Sequence, residues 1–309
     1  MTLPVVLVRG PEGHPLLDFA QAASAPVDVV AMVHNDGPEI SKALRSCREA
    51  GLVAVVTDPT AAIRHGLDSG RPMLVATRPG RWCDSLATPA IGLSETISGG
   101  WLPDRWDPES ASVAATLDSG VLGQIVAVRV VRTTEPGFGF GSEGSLTRVA
   151  DLATLWTGDS PEGVASLQSG DQLGDSAPTF CATIRFAKGA TALIEAGEPS
   201  RYGGLGFRET LIVGTDGTLE IPWDPVAAST TNADGLVVLR PEPPEEHLPA
   251  AARPLHDWAE AVMENRQPRA TGNDLLQACR VAWVARRSAK HGGKVLGLDP
   301  NPDSIDQQS

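Results

Sequence analysis

Two hairpin signals, close together between Phe180 and Pro222, constrain this chain more than any other stretch. The run FCATIRFA alternates: Phe180, Ala182, Ile184 and Phe186 share one face, and Cys181, Thr183, Arg185 and Ala187 the other. A period of two, carried by β-branched and aromatic residues, predicts a strand with one face buried. Lys188-Gly189 turns the chain into a second alternating run, ATALIEA. FRETLIV then meets Gly214-Thr215-Asp216-Gly217 and returns as TLEIP. The Asp-Gly pair supplies the positive φ angles of a tight hairpin turn. Two hairpins predict an antiparallel sheet, packed on one face and either wet or covered by a partner on the other. Leu193 and Ile212 are expected on the face away from the core. An isologous dimer through that face would cover them.

Upstream of the hairpins the pattern is different. PVVLV, VDVVAMV, LVAVV and PMLVA are short continuous apolar runs, the mark of strands buried on both faces. Helical patterns fall between them, at His14–Ala23 and in EISKALRSCREA before Gly51. Strands alternating with helices predict a parallel sheet. The spacing is tight, so residues 1–104 read as a reduced Rossmann-like domain. Residues from Arg78 to Pro103 are rich in Gly, Pro and Ser and read as loop. Residues 105–298 read as an open antiparallel β-sheet domain with packed helices. Helices are expected from Asp107-Pro108 to Gly120, over SLTRVADLATLWTG (Leu152, Leu155 and Trp156 on one side), over LHDWAEAVME, and from Asn273 to Lys290. Residues 299–309 are polar and expected to be a disordered tail. The fold class is therefore α/β followed by α+β.

Composition narrows the partners. The net charge of -13 argues against nucleic acid and against an anionic membrane surface. The four cysteines, Cys47, Cys83, Cys181 and Cys279, lack metal-ligand spacing and read as buried thiols of a reducing compartment. His65, His247, His256 and His291 share no motif, which argues against a metal site. No basic segment precedes an apolar one at the start, and no apolar run reaches membrane-spanning length. A cytoplasmic protein is expected.

Several strings in order resemble the Gfo/Idh/MocA family of sugar oxidoreductases. Arg105-Trp106-Asp107-Pro108 followed by LDSGVLGQI is similar to the family's R-[FWY]-x-P helix and its S-G-x-[IL]-G-x-I ending. DLATLWTG, FAKGATALI, LIVGTDGTLEI and the stretch from Leu255 to Val295 are similar to its later segments. The resemblance implies an oxidoreductase of sugars or polyols, NAD or NADP as cofactor, and a homodimer or larger assembly through the C-terminal sheet. A small-molecule sugar or sugar acid is the implied partner.

The chain departs from the family where the chemistry sits. The family's G-x-G-x-x-G cradles pyrophosphate with backbone N–H groups. Here Gly10-Pro11-Glu12-Gly13 stands instead. Pro11 removes a donor and Glu12 adds a negative charge, so both oppose anion binding. The cofactor-binding counterparts are Gly10, Gly13 and Thr57. The family's catalytic E-K-P aligns with Thr57-Asp58-Pro59, or with Thr77-Arg78-Pro79; neither has the lysine. The family's catalytic His position aligns with Arg148. An arginine stays protonated near neutral pH and can bind an anion but cannot act as the base. Asp58 and the sole tyrosine, Tyr202, are candidates for proton transfer, and His14, at the start of the first expected helix, is a further one with a surface or capping role as its alternative. Arg105 and Arg148 are the candidate substrate-binding residues, lining what is left of the substrate cleft; the alternatives are a packing and salt-bridge role for Arg105 and, for Arg148, pairing with a nearby carboxylate such as Glu143. Gly139-Phe140-Gly141-Ser142-Glu143-Gly144 is a literal G-x-G-x-x-G, but it stands apart from a strand–helix junction and reads as loop. These departures imply little or no dehydrogenase activity. The alternative is a non-catalytic ligand-binding or scaffolding subunit that recognises an acidic sugar or organic acid.

Overall fold

A computed structural model describes residues 3–9, 27–34, 53–56, 72–75, 98–133, 141–169, 179–197, 207–222, 229–232, 235–238 and 253–298. The expected helices at 14–23 and 39–50 and the tail lie outside them. Contacts group the chain into two compact units: Met1–Trp106 with Glu246–Gln277, and Asp107–Glu245 with Ala278–Ser309.

The first unit is Rossmann-like. Strands β1 (Leu3–Arg9), β2 (Val27–His34), β3 (Val53–Val56), β4 (Met73–Val75) and β5 (Ser98–Gly100) form a parallel sheet in the order β2-β1-β3-β4-β5. The chain steps outward from β1 to β2, then crosses to β3 and proceeds the other way. The strand order therefore reverses between β1 and β3, whose carboxyl ends are Arg9 and Val56. In such sheets a ligand crevice lies outside those ends.

β5 was not expected, because the sequence from Arg78 to Pro103 reads as loop. Its centre is Gly99-Gly100, and glycines carry no side chain to show a period. Packing explains them. A Cβ on Gly99 would lie 2.7 Å from Trp258 Cδ1 and 2.8 Å from Leu74 Cδ1. One on Gly100 would lie 2.5 Å from the Thr271 carbonyl oxygen. Gly100 N–H donates to the Ala270 carbonyl at 2.9 Å. A short 3-10 helix, Pro103–Trp106, follows β5.

The second unit holds β6 (Ile125–Thr133), β7 (Pro161–Ser169), β8 (Thr179–Phe186), β9 (Thr191–Gly197), β10 (Phe207–Gly214), β11 (Gly217–Ile221), β12 (Ser229–Asn232), β13 (Gly235–Val238) and β14 (Leu296–Gly297). Their order is β13-β12-β11-β10-β6-β9-β8-β7-β14. Both expected hairpins are present, β8–β9 and β10–β11. They are not neighbours. β6 lies between them, antiparallel to β10 and parallel to β9, so the sheet is mixed rather than wholly antiparallel.

Four helices complete the described fold: α1 (Pro108–Asp118), α2 (Gly141–Thr157), α3 (Arg253–Glu264) and α4 (Gly272–Lys290). The division between units falls within α4, after Gln277. Gly120 and Gly292, the expected stops, have φ of +72° and +70° and end α1 and α4 in the left-handed region. α2 begins at Gly141, so the second half of the glycine-rich string is helical rather than loop. It packs on β6, β8 and β9. Leu146, Val149, Leu152, Ala153 and Trp156 are buried there, whereas Leu155 turns out to solvent. The inner sheet face meets them with Phe180, Ile184, Phe186, Ile194 and Val130. Burying a side chain of this size contributes roughly 1.5–3 kcal/mol.

The outer face corrects one assignment. Ile212 is fully buried in the core, so it is Leu211 and Val213 that join Leu193 outside, each half-buried. Leu193, Arg129 and Leu211 lie side by side across three strands, and Glu195, Val131 and Glu209 form the next row. Arg129 bridges the rows, with Nη1 2.6 Å from Glu209 Oε1 and Nη2 3.4 Å from Glu195 Oε1.

On the inner side, α1 is joined to the sheet by charge. Arg132 Nη2 and Thr210 Oγ1 both donate to Glu109 Oε1, and Arg132 Nη1 donates to the Val131 and Glu209 carbonyls. The side chains of Arg132 and Glu109 are only 8% and 11% exposed. Removing one member of such a pair strands the other charge. Glu109→Ala is expected to destabilise the protein by about 3–5 kcal/mol, and adding Arg132→Met should recover most of the loss. Urea unfolding of both variants checks this; equal losses in the single and double variants would contradict it.

Candidate functional site

Of the residues the sequence marks for chemistry, Gly10, Gly13, His14, Thr57, Asp58 and Tyr202 lie outside the described residues. Gly10 directly follows β1 and Thr57 directly follows β3, the two strands between which the sheet order reverses. Arg105 and Arg148 are described, one in each compact unit.

Arg105 sits in the 3-10 helix and is 4% exposed. Its Nη1 donates to Asp274 Oδ2 at 3.1 Å and to the Arg269 carbonyl at 2.8 Å. Asp274 belongs to the start of α4. Its Oδ2 also accepts from the Thr271 N–H and from Thr271 Oγ1, each at 2.8 Å. Thr271 Oγ1 in turn accepts from the Asp274 N–H at 3.2 Å. This is a reciprocal capping box with aspartate in the place usual for glutamate. The sequence reading missed this box, although its T-x-x-D spacing is a signal that could have found it; the third member, Arg105, lies 169 residues from Asp274. A buried arginine tied in this way anchors the helix start.

Arg148 projects from α2 and is half-buried, and it has an interaction of its own. Asp107 occupies the N-cap position of α1 with Pro108 after it, as the sequence indicates. Its carboxylate makes no cap bond and instead accepts from Arg208 Nη1 at 3.1 Å.

The remaining reactive groups are few. Cys279 is buried, but Cys181 is exposed on the outer sheet face, against the expectation of a buried thiol. It occupies an outward position of a strand with one face in solvent. Partial burial and the Glu195 carboxylate push its thiol pKa up, and Arg129 pulls the other way. The net rise disfavours the nucleophilic thiolate. Among the described residues no group of three or more His, Cys, Asp or Glu could hold a metal ion. Among them, too, no helix is long and apolar enough to cross a membrane. Chemically, the two described candidates are permanent cations, suited to anion binding and not to proton abstraction.

Comparison with known proteins places the architecture. No family model matches the chain, and no curated protein does. Solved structures do, over nearly their whole length. An aldose-aldose oxidoreductase from Caulobacter crescentus, complexed with glycerol, superposes with a TM-score of 0.66 at 16% identity, covering 96% of this chain and 100% of that one. An oxidoreductase from Agrobacterium radiobacter, in complex with NAD+, L-tartaric acid and magnesium, gives 0.72 at 14% identity, covering 96% and 99%. A levoglucosan dehydrogenase in complex with NADH gives 0.70 at 17%, covering 96% and 99%. At these identities the likeness is one of fold, and the fold of this chain is that of these oxidoreductases.

Proposed function

We propose that this chain is a divergent member of the Gfo/Idh/MocA oxidoreductases, with little or no dehydrogenase activity, that binds a small acidic sugar or organic acid. One observation carries the reading. In a sheet of dinucleotide-binding type, β1 runs at the reversal of strand order into Gly10-Pro11-Glu12-Gly13. A pyrophosphate bound by that segment needs backbone N–H donors and no nearby anion. Pro11 has no N–H and Glu12 is an anion, so these residues do not fit the dinucleotide. No reaction step is therefore assigned to it.

Two further facts support the reading. Neither Thr57-Asp58-Pro59 nor Thr77-Arg78-Pro79 contains a lysine, and an arginine stands where the resemblance places the catalytic histidine. Guanidinium offers a planar fork to a carboxylate. The Agrobacterium radiobacter oxidoreductase of like fold is in complex with L-tartaric acid, an organic acid, which supports the ligand class. The competing reading is an active NAD(P)-dependent oxidoreductase in which Asp58 or Tyr202 replaces the lost base; it is favoured by the full-length likeness to dehydrogenases.

The outer sheet face supports a homodimer as the working assembly. Leu193, Leu211 and Val213 are half-buried there, and α2 covers only the opposite face. An isologous partner would cover these apolar positions around the Arg129 ion pairs.

Calorimetric titration with NAD(H) and NADP(H) separates the two functional readings. Loss of charge-assisted hydrogen bonds to the phosphates is expected to weaken binding roughly a hundredfold relative to an intact cradle. Replacing Pro11 by Gly and Glu12 by Ala should restore part of it; a low-micromolar Kd for the unmodified chain would sink the proposal. A thermal-shift screen of sugar acids against neutral sugars tests the ligand class. Acids should stabilise the protein and lose that effect in Arg148→Ala, whereas stabilisation by neutral sugars alone would exclude the anion site. Sedimentation at tens of micromolar should show a dimer that Leu211→Glu dissociates; a monomeric unmodified chain would contradict the assembly.

A further inference from the structure

The connection from α3 to α4 brings Arg269 over the 3-10 helix that follows β5. The Arg269 guanidinium carbon lies 5.6 Å from the centroid of the Trp106 ring. The backbone of Arg269 is held from both sides: its N–H donates to Asp257 Oδ2 at 2.7 Å, and its carbonyl accepts from Arg105 at 2.8 Å. Arg253 Nη1 donates to the Trp106 carbonyl at 3.1 Å. Arg269 thus meets the Trp106 ring and Arg253 its backbone carbonyl, while Arg105 holds the Arg269 carbonyl, all within the first compact unit.

The carboxylates of Asp274 and Asp257 are bonded to groups other than the Arg269 side chain. Asp274 takes Arg105 and Thr271. Asp257 takes the Arg266 guanidinium at 3.0 Å and the Arg269 N–H. Among the described residues no carboxylate pairs with the Arg269 guanidinium. Partial burial pushes its pKa down, and the charge of Arg105 adds to this, with Asp257 opposing. A cation in surroundings that disfavour its charge is relieved by a bound anion. Residue 269 is exposed, so the position is open to solutes. Stacking on an indole orients a guanidinium while its in-plane N–H donors remain for a partner.

We infer that Arg269, stacked on Trp106, is a recognition site for a small oxyanion: the carboxylate or phosphate group of a small molecule. The site rests on the first unit alone and does not depend on the role proposed for Arg148. The bland counterpart is a cation–π contact that only steadies the connection between α3 and α4.

The experiment is calorimetric titration of the full chain with sodium phosphate and with sodium acetate, at ionic strength held constant with sodium chloride. Saturable binding of at least one is expected, and the tighter of the two identifies the headgroup. Arg269→Gln should weaken it roughly tenfold, from loss of charge-assisted hydrogen bonds. Arg185→Ala removes an exposed arginine of the second unit and should leave it unchanged. No saturable binding of either anion would overturn the inference, as would equal binding by Arg269→Gln and the unmodified chain, or equal losses in the two variants. Should Arg269→Gln fail to fold, Arg269→Lys takes its place, keeping the charge without the planar fork. Weaker binding then supports the site, and unchanged binding overturns it. Loss of the sugar-acid response at Arg148 would leave this result untouched, so the two proposals fail separately.

Discussion

Covering one face of the nine-stranded sheet is the constraint on which the second unit depends. A strand alternates its side chains, so the face that meets α2 must be apolar at every second position. Phe180, Ala182, Ile184 and Phe186 on β8 and Ala192, Ile194 and Ala196 on β9 meet that demand in register, with each of them buried. A slip of one residue would exchange them for Cys181, Thr183 and Arg185. β6 enters the same layer between the hairpins and contributes Val128 and Val130 to the core. Its parallel pairing with β9 follows from chain order: β6 precedes α2, and the chain crosses the sheet face before returning as β7, β8 and β9.

Charge does the joining where apolar contact cannot. Glu109 lies in the first turn of α1, where a carboxylate is favoured by the helix dipole. Arg132 and Thr210 reach it from β6 and β10. Burying the pair carries a desolvation penalty that its own attraction barely offsets. What it adds is placement, since only one register of β6 against β10 brings Arg132 and Thr210 to the same carboxylate oxygen. Arg105 does the equivalent in the first unit by binding the capping box of α4.

Much of this architecture could be read from the sequence, and the gaps have physical causes. Alternation fixes a strand and its buried side when apolar and polar residues take turns, as in β8. In β10 the run Leu211-Ile212-Val213 is apolar throughout, so parity is lost and Ile212 falls on the wrong face. β5 is invisible because Gly99 and Gly100 have no side chains to alternate; they are recognisable only once Trp258, Leu74 and Thr271 are seen crowding them. The insertion of β6 between two hairpins is a long-range pairing that no local window contains. The same holds for the candidate site. Arg105 and Arg148 could be marked one residue at a time, but the pairing of Arg105 with Asp274 and the stacking of Arg269 on Trp106 join segments more than 160 residues apart.

The chemistry left to the chain follows from the types of residue at its marked positions. Hydride transfer from a sugar carbon needs a base whose pKa lies near the working pH. Arginine never meets that condition, because its charge persists well above neutral pH. At Arg269 burial and the charge of Arg105 push the pKa down, with Asp257 opposing, but a guanidinium so placed is still a cation at neutral pH. Each marked arginine therefore has one chemical option, which is to hold an anion, and its neighbours decide whether that anion is internal. For Arg105 it is: Asp274 supplies the carboxylate. For Arg269 the Asp257 carboxylate takes the backbone N–H and the Arg266 guanidinium, and an indole holds the Arg269 guanidinium in place instead. The difference between these two side chains, one ion-paired and one stacked on an indole, is what separates a structural anchor from the binding group inferred for this fold.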